Sequence, residues 1–124
     1  MSQRSALIID DSRVNQNILT NQLEEKGFET FNAYDGAEGF EKFKAVRPAI
    51  TFLDIIMPKM SGLEVLKGIK TLDPDAKVIM VTSFVSKKIV QQAKDVGADW
   101  FIKKPFDETQ ITEIIERFAD TVEA

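Results

Sequence analysis

Two spacings of apolar residues alternate along the chain, and that alternation leaves few folds open. Short unbroken apolar runs occur at ALII (6–9), AITFL (49–53), KVIMV (77–81) and WFI (100–102), with a weaker, more polar run at FETFNA (28–33). Runs this short, rich in Ile, Val and Phe, suit strands covered on both faces, as in a parallel sheet. Between them the spacing becomes that of an amphipathic helix. Val14, Ile18, Leu19 and Leu23 form one stripe before Gly27, and Ala37, Phe40, Phe43 and Val46 a second before Pro48. Leu63, Leu66 and Ile69 form the third, Ile89, Ala93 and Val96 the fourth before Gly97, and Ile111, Ile114, Ile115, Phe118 and Val122 the fifth. Asp35 with Glu38, Ser61 with Glu64, and Asp107 with Gln110 have capping-box spacing at three of the helix starts. Strand–helix units repeated five times must run parallel, through right-handed crossovers, with helices on both faces of the sheet. The expected architecture is an α/β three-layer (βα)5 sandwich. The last residues, DTVEA, are expected to fray.

A chain of 124 residues suits one domain, and residues 1–124 are read as such, without repeat or linker. It contains neither cysteine nor histidine. Disulfides, thiolate or imidazole metal sites, histidine bases and nucleophile–histidine pairs are therefore ruled out. A formal net charge of −4 opposes binding to nucleic acid, which rests on a basic footprint. No apolar run reaches membrane-spanning length, and the first residues lack a signal-peptide core. The expectation is a cytoplasmic protein with neither nucleic acid nor membrane as a direct partner.

In open α/β sheets, ligands bind outside the carboxyl ends of the strands. The first strand runs into Asp10 and Asp11, the third into Asp54, the fourth into Thr82 and Ser83, and the fifth into Lys103 and Lys104 before Pro105. Each has an ordinary structural reading. Asp11 or Ser12 can cap the first helix, Asp54 can be a loop acid, Thr82 a strand-end hydroxyl and Lys104 a solvated lysine. One helix start needs one cap, however, which leaves Asp10 unexplained. The convergence of all of them on one edge carries the argument.

Two carboxylates about 4 Å apart repel by roughly 4 kcal/mol at an effective dielectric near 20. A third worsens this, so the group needs a cation or a raised pKa in one member. An all-oxygen set without histidine suits a hard divalent ion, above all Mg2+. Mg2+ readily shares a phosphoryl oxygen, and a lysine and a hydroxyl across the site can hold others. The chemistry indicated is metal-assisted phosphoryl transfer at Asp54, through an aspartyl phosphate.

Four stretches together resemble the receiver domain of two-component response regulators, over about residues 5 to 120. LIIDDS resembles that family's acidic pair, FLDIIMPKMSG (52–62) its phosphoacceptor motif, VTS (81–83) its hydroxyl motif, and GADWFIKKPF (97–106) its lysine–proline motif. The resemblance implies the flavodoxin-like strand order 2-1-3-4-5. It implies Asp54 as phosphoacceptor and a Mg2+ site made by Asp11, Asp54 and the Ile56 carbonyl, with Asp10 acting through water. Thr82 and Lys104 would contact the phosphoryl group, and Lys103 would point away, since strand neighbours face opposite sides. The Lys104–Pro105 bond would be cis. Thr82 and Phe101 would form the conformational switch. The implied phosphodonor is a histidine kinase or histidine phosphotransfer protein. The implied output is a protein target that reads the face made by the fourth helix, fifth strand and fifth helix. Ile56 and Phe84 are apolar where related domains often carry polar side chains, so slow self-dephosphorylation is expected.

Two other readings of the same acids stay open at this point. One is a Mg2+-dependent phosphohydrolase with an aspartyl nucleophile, although such enzymes commonly carry D-x-D rather than adjacent acids. The other is a flavin-binding electron carrier, although DDSRVN places acids where a flavin phosphate would sit.

Overall fold

Each apolar run forms a strand and each stripe a helix in the computed structural model, which describes residues 4–83 and 86–118. The order is β1 (Ser5–Ile9), α1 (Arg13–Glu25), β2 (Glu29–Ala33), α2 (Gly36–Val46), β3 (Ile50–Asp54), α3 (Gly62–Leu72), β4 (Val78–Thr82), α4 (Lys87–Val96), β5 (Trp100–Lys103) and α5 (Glu108–Arg117). The strands pair in parallel in the order β2-β1-β3-β4-β5. All carboxyl ends therefore lie on one edge, with Asp54 opposite Val81 and Thr82 opposite Lys103.

Side chains alternate between two cores because each strand is covered on both faces. Ala6, Ile8, Phe52, Ile79 and Val81 pack against Leu19 and Leu23 of α1 and Ile111, Ile114 and Ile115 of α5. Leu7, Ile9, Leu53, Val78 and Met80 pack against Phe43 of α2, Val65, Leu66 and Ile69 of α3 and Ala93 of α4. Each fully buried aliphatic side chain contributes about 1.5–3 kcal/mol, so both faces anchor the edge where the charged residues gather.

Three details depart from the sequence-based expectations. In α1, Val14 is 67% exposed and Ile18 39% exposed, while Gln16 is buried with Leu19 and Leu23. Residues 16, 19 and 23 share one face at i, i+3, i+7 spacing, so the sheet-facing stripe runs through a glutamine. In α2, Ala37 is exposed, and Gly36, Gly39 and Phe43 take the inner face. At that helix start Asp35 accepts from the Glu38 N–H, but the Glu38 carboxylate accepts from Tyr34 rather than from Asp35, so the box is not reciprocal. The boxes at Ser61 and Asp107 are complete. Phe84, Val122 and the DTVEA tail lie outside the described residues.

Candidate functional site

Asp10 directly follows β1, and its carboxylate is buried. Its Oδ1 accepts the Ser12 N–H at 2.9 Å, while Ser12 itself caps α1 by accepting the Asn15 N–H. This turn folds the chain sharply between strand and helix and leaves Asp11 exposed at the rim. Asp54 is the last residue of β3 and is buried; its Oδ1 accepts the Ile56 N–H at 3.2 Å. One oxygen each from Asp10, Asp11 and Asp54 lie within 4.8 Å of one another.

Lys104 reaches this cluster from the end of β5. Its N–H donates to the Thr82 carbonyl at 2.8 Å, which continues the β4–β5 pairing one residue past the strand. Its ammonium lies 2.8 Å from Asp10 Oδ2 and 3.3 Å from Asp54 Oδ2. Lys103 faces solvent, as strand alternation requires, and the Lys104–Pro105 bond is cis. Thr82 is buried at the carboxyl end of β4. Phe101 is half-buried in the layer beneath, opposite Met80, and packs on the α2–α3–α4 side of the sheet. Ile56 is 52% exposed beside Asp54.

The charges do not balance. Three carboxylates gather where one ammonium, that of Lys104, pairs with Asp10 and Asp54, and among the described residues Asp11 has no ion-pair partner. Burial, followed by the charge of Asp10, raises the Asp54 pKa from 3.8 to about 6, although Lys104 and the Ile56 N–H pull against them. Burial by itself would lower the Lys104 pKa. The hydrogen bond and charge of Asp10, then those of Asp54, overcome this and raise it, so the ammonium stays protonated. A compact, negative, all-oxygen cluster of this kind fits Mg2+ by the chemistry of its donors.

Sequence reasoning placed Asp10, Asp11, Asp54 and Lys104 on one edge, and the structure brings those four side chains together. It missed two contributors. Gly62 packs so closely on β3 that a Cβ there would sit 2.1 Å from the Asp54 carbonyl oxygen. Its N–H donates to the Ile55 carbonyl at 2.8 Å, which closes the loop after Asp54. The glycine at the end of the FLDIIMPKMSG stretch was the available signal. The other is Gln16, legible only from its helical phase with Leu19 and Leu23.

Residues 6–116 match the response regulator receiver domain. The chain belongs to that family. It is 39% identical over 114 residues to the chemotaxis protein CheY of Listeria monocytogenes, covering 91% of this chain and 96% of the relative. A receiver domain protein from Methanospirillum hungatei superposes with a TM-score of 0.93 at 31% identity, over 98% of both chains. The CheY of a CheX–CheY–BeF3–Mg2+ complex from Borrelia burgdorferi does so with a TM-score of 0.87 at 34% identity, over 92% of this chain and 88% of that one. Membership selects the receiver reading over the phosphohydrolase and flavin-carrier readings. Receiver domains are signalling modules of two-component systems, and the flavodoxin-like order 2-1-3-4-5 implied by the resemblance is the one observed. No helix among the described residues is long and apolar enough to cross a membrane.

Proposed function

We propose that residues 1–124 act as one receiver unit in the cytoplasm that accepts a phosphoryl group on Asp54 from the phosphohistidine of a histidine kinase or histidine phosphotransfer protein. One observation carries the reading: the Asp54 carboxylate shares one cluster with Asp10 and Asp11 and lies 3.3 Å from the Lys104 ammonium. Asp10, Asp11, Asp54 and the Ile56 carbonyl would hold Mg2+, with Asp10 acting through water. Bound there, Mg2+ supplies positive charge to the carboxylates and to the incoming phosphoryl oxygens.

A carboxylate with a pKa of about 6 is mostly ionised at neutral pH and still more basic than an ordinary aspartate. Its oxygen attacks phosphorus, the bond from phosphorus to the imidazole nitrogen breaks, and the imidazole leaves with the bonding pair and takes a proton from water. Lys104 stays cationic and holds one phosphoryl oxygen, and the Thr82 hydroxyl holds another. Those contacts, together with Phe101, bias the domain toward a conformation that a protein target reads on the α4–β5–α5 face. The domain contributes the catalytic groups for its own phosphorylation and slow self-dephosphorylation, and it turns over no other substrate.

Mg2+ with beryllofluoride, followed by amide NMR, and a small phosphodonor, followed by intact mass, test this. The wild type should respond in both and Asp54→Asn in neither; a wild type that stays unmodified by every donor overturns the reading. The exposed apolar Ile56 beside Asp54 offers no group to orient water. Ile56→Asn should therefore shorten the phosphoryl lifetime in a decay assay, and an unchanged lifetime overturns that part.

A further inference from the structure

Gln16 is 1% exposed and is the one polar side chain on the sheet-facing stripe formed by residues 16, 19 and 23 of α1. Its Nε2 lies 3.0 Å from the Ile8 carbonyl, 3.0 Å from the Asp10 carbonyl and 2.7 Å from the Ala33 carbonyl. Its Oε1 accepts from Asn32 Nδ2, which also donates to Thr20 Oγ1 at 3.0 Å. The orientation is fixed by this surround, because the reversed amide would point its oxygen at three carbonyl oxygens. Lys42 in turn donates to the Asn32 carbonyl.

These contacts have a direction. Asp10 N–H already donates to the Ala33 carbonyl at 3.1 Å, and Gln16 binds that carbonyl and the Asp10 carbonyl together. The backbone of Asp10 is thus held on both sides of its Cα, while its Oδ1 is held by Ser12 and its Oδ2 by Lys104. A buried carboxylate that repels Asp54 and Asp11 would otherwise relax away from them. A leucine at position 16 would fill the same stripe and leave the Asp10 carbonyl without this donor, so core packing alone does not account for the glutamine.

We infer that Gln16 is a positioning residue for the metal site, which sets the Asp10–Asp11 turn through the Asp10 carbonyl and ties it to β2. The inference rests on the proposed Mg2+ site, and the test separates the two. MgCl2 alone is titrated into the full chain by calorimetry for the wild type, Gln16→Met and Leu19→Ala. Gln16→Met keeps the volume and loses the donors. Leu19→Ala destabilises the same helix face without touching Asp10.

Gln16→Met should bind Mg2+ about tenfold more weakly or worse, with Leu19→Ala within about twofold of wild type. Equal loss in both variants, or no loss in Gln16→Met, overturns the inference while leaving the metal site standing. A wild type that binds no Mg2+ overturns both. Should Gln16→Met not fold, the wild type still decides. Its Gln16 side-chain amide hydrogens should exchange slowly with solvent and shift on addition of MgCl2, and exchange at the rate of a free amide overturns the assignment.

Discussion

At the amino edge of the sheet, Asp99 is surrounded by donors. Its Oδ2 accepts from Lys70 Nζ and from the Val78 N–H, each at 2.9 Å, and Lys77 lies 3.9 Å from its Oδ1. Lys70 also donates to the Ala76 carbonyl, so the end of α3, the start of β4 and the start of β5 are stitched through one carboxylate. At the carboxyl edge, three carboxylates cluster and one ammonium pairs with two of them. Both clusters use aspartate and lysine, yet at Asp99 one carboxylate meets two lysines, whereas at the carboxyl edge three carboxylates gather beside one. A satisfied acid holds strands together. An unsatisfied group is strained until something else supplies charge, and on the proposed reading that demand coincides with the edge where Asp54 takes the phosphoryl group. Removing an aspartate charge should therefore change stability in opposite directions at the two ends.

The largest effect is expected at the satisfied end. Asp99→Ala strands Lys70 and leaves the Val78 N–H without its acceptor, and removing one partner of a largely buried pair costs about 3 kcal/mol. Urea unfolding should show a lower midpoint with an unchanged slope. A midpoint equal to that of the wild type would mean that the amino edge does not depend on this carboxylate, and the contrast would collapse.

Asp54→Asn should move stability the other way. The fold raises this pKa from 3.8 to about 6, chiefly by burial and then by Asp10. The folded chain therefore holds the proton more tightly than the unfolded chain. A rise in pH through that window costs stability, and the whole penalty stands above pH 6. A shift of this size corresponds to about 3 kcal/mol at neutral pH without metal. Metal-free Asp54→Asn should thus be more stable than the wild type at pH 7.5, and the advantage should vanish below pH 4. An advantage that is independent of pH would assign the gain to something other than the buried charge.

Mg2+ sharpens the contrast further. Binding at ten times the dissociation constant stabilises a folded chain by about 1.4 kcal/mol. That gain should appear in thermal melts of the wild type and of Asp99→Ala alike. It should fall steeply in Asp54→Asn, which lacks one of the carboxylates. Equal Mg2+ stabilisation of wild type and Asp54→Asn would move the metal away from this edge.

Much of this arrangement was legible because strands covered on both faces are apolar to the end, so the first charged residue marks the rim. Asp10 follows such a run, Asp54 closes one, Lys104 comes one residue after the first charged residue of β5, and parallel topology brings all three to one side. What stayed hidden depends on partners far apart in the chain. Asp99 sits in GADWFIKKPF beside the lysine that serves the other edge, and only the fold shows that it faces Lys70 and Lys77 instead. Val14 and Ile18 share helical spacing with the core residues, but they lie on the side of α1 turned from the sheet, and a polar glutamine takes the place an apolar residue was expected to fill. The close approach of Gly62 to Asp54 is a property of the loop path, which the glycine ending FLDIIMPKMSG hints at but apolar spacing does not encode.

The smallest effect tests whether the amino edge is overdetermined. Lys77 is the more distant of the two cations, at 3.9 Å against 2.9 Å for Lys70, and it is more exposed. Asp99 keeps Lys70 and the Val78 N–H when that charge is removed. A partly exposed pair of this kind is worth about 0.2–1 kcal/mol and is screened by salt. Lys77→Gln should therefore lower stability by no more than this, and 0.5 M NaCl should erase the difference, since the Debye length falls to a few ångströms by about 1 M. A loss as large as that of Asp99→Ala would mean that both lysines are required and that the amino edge, like the carboxyl edge, runs close to an electrostatic deficit.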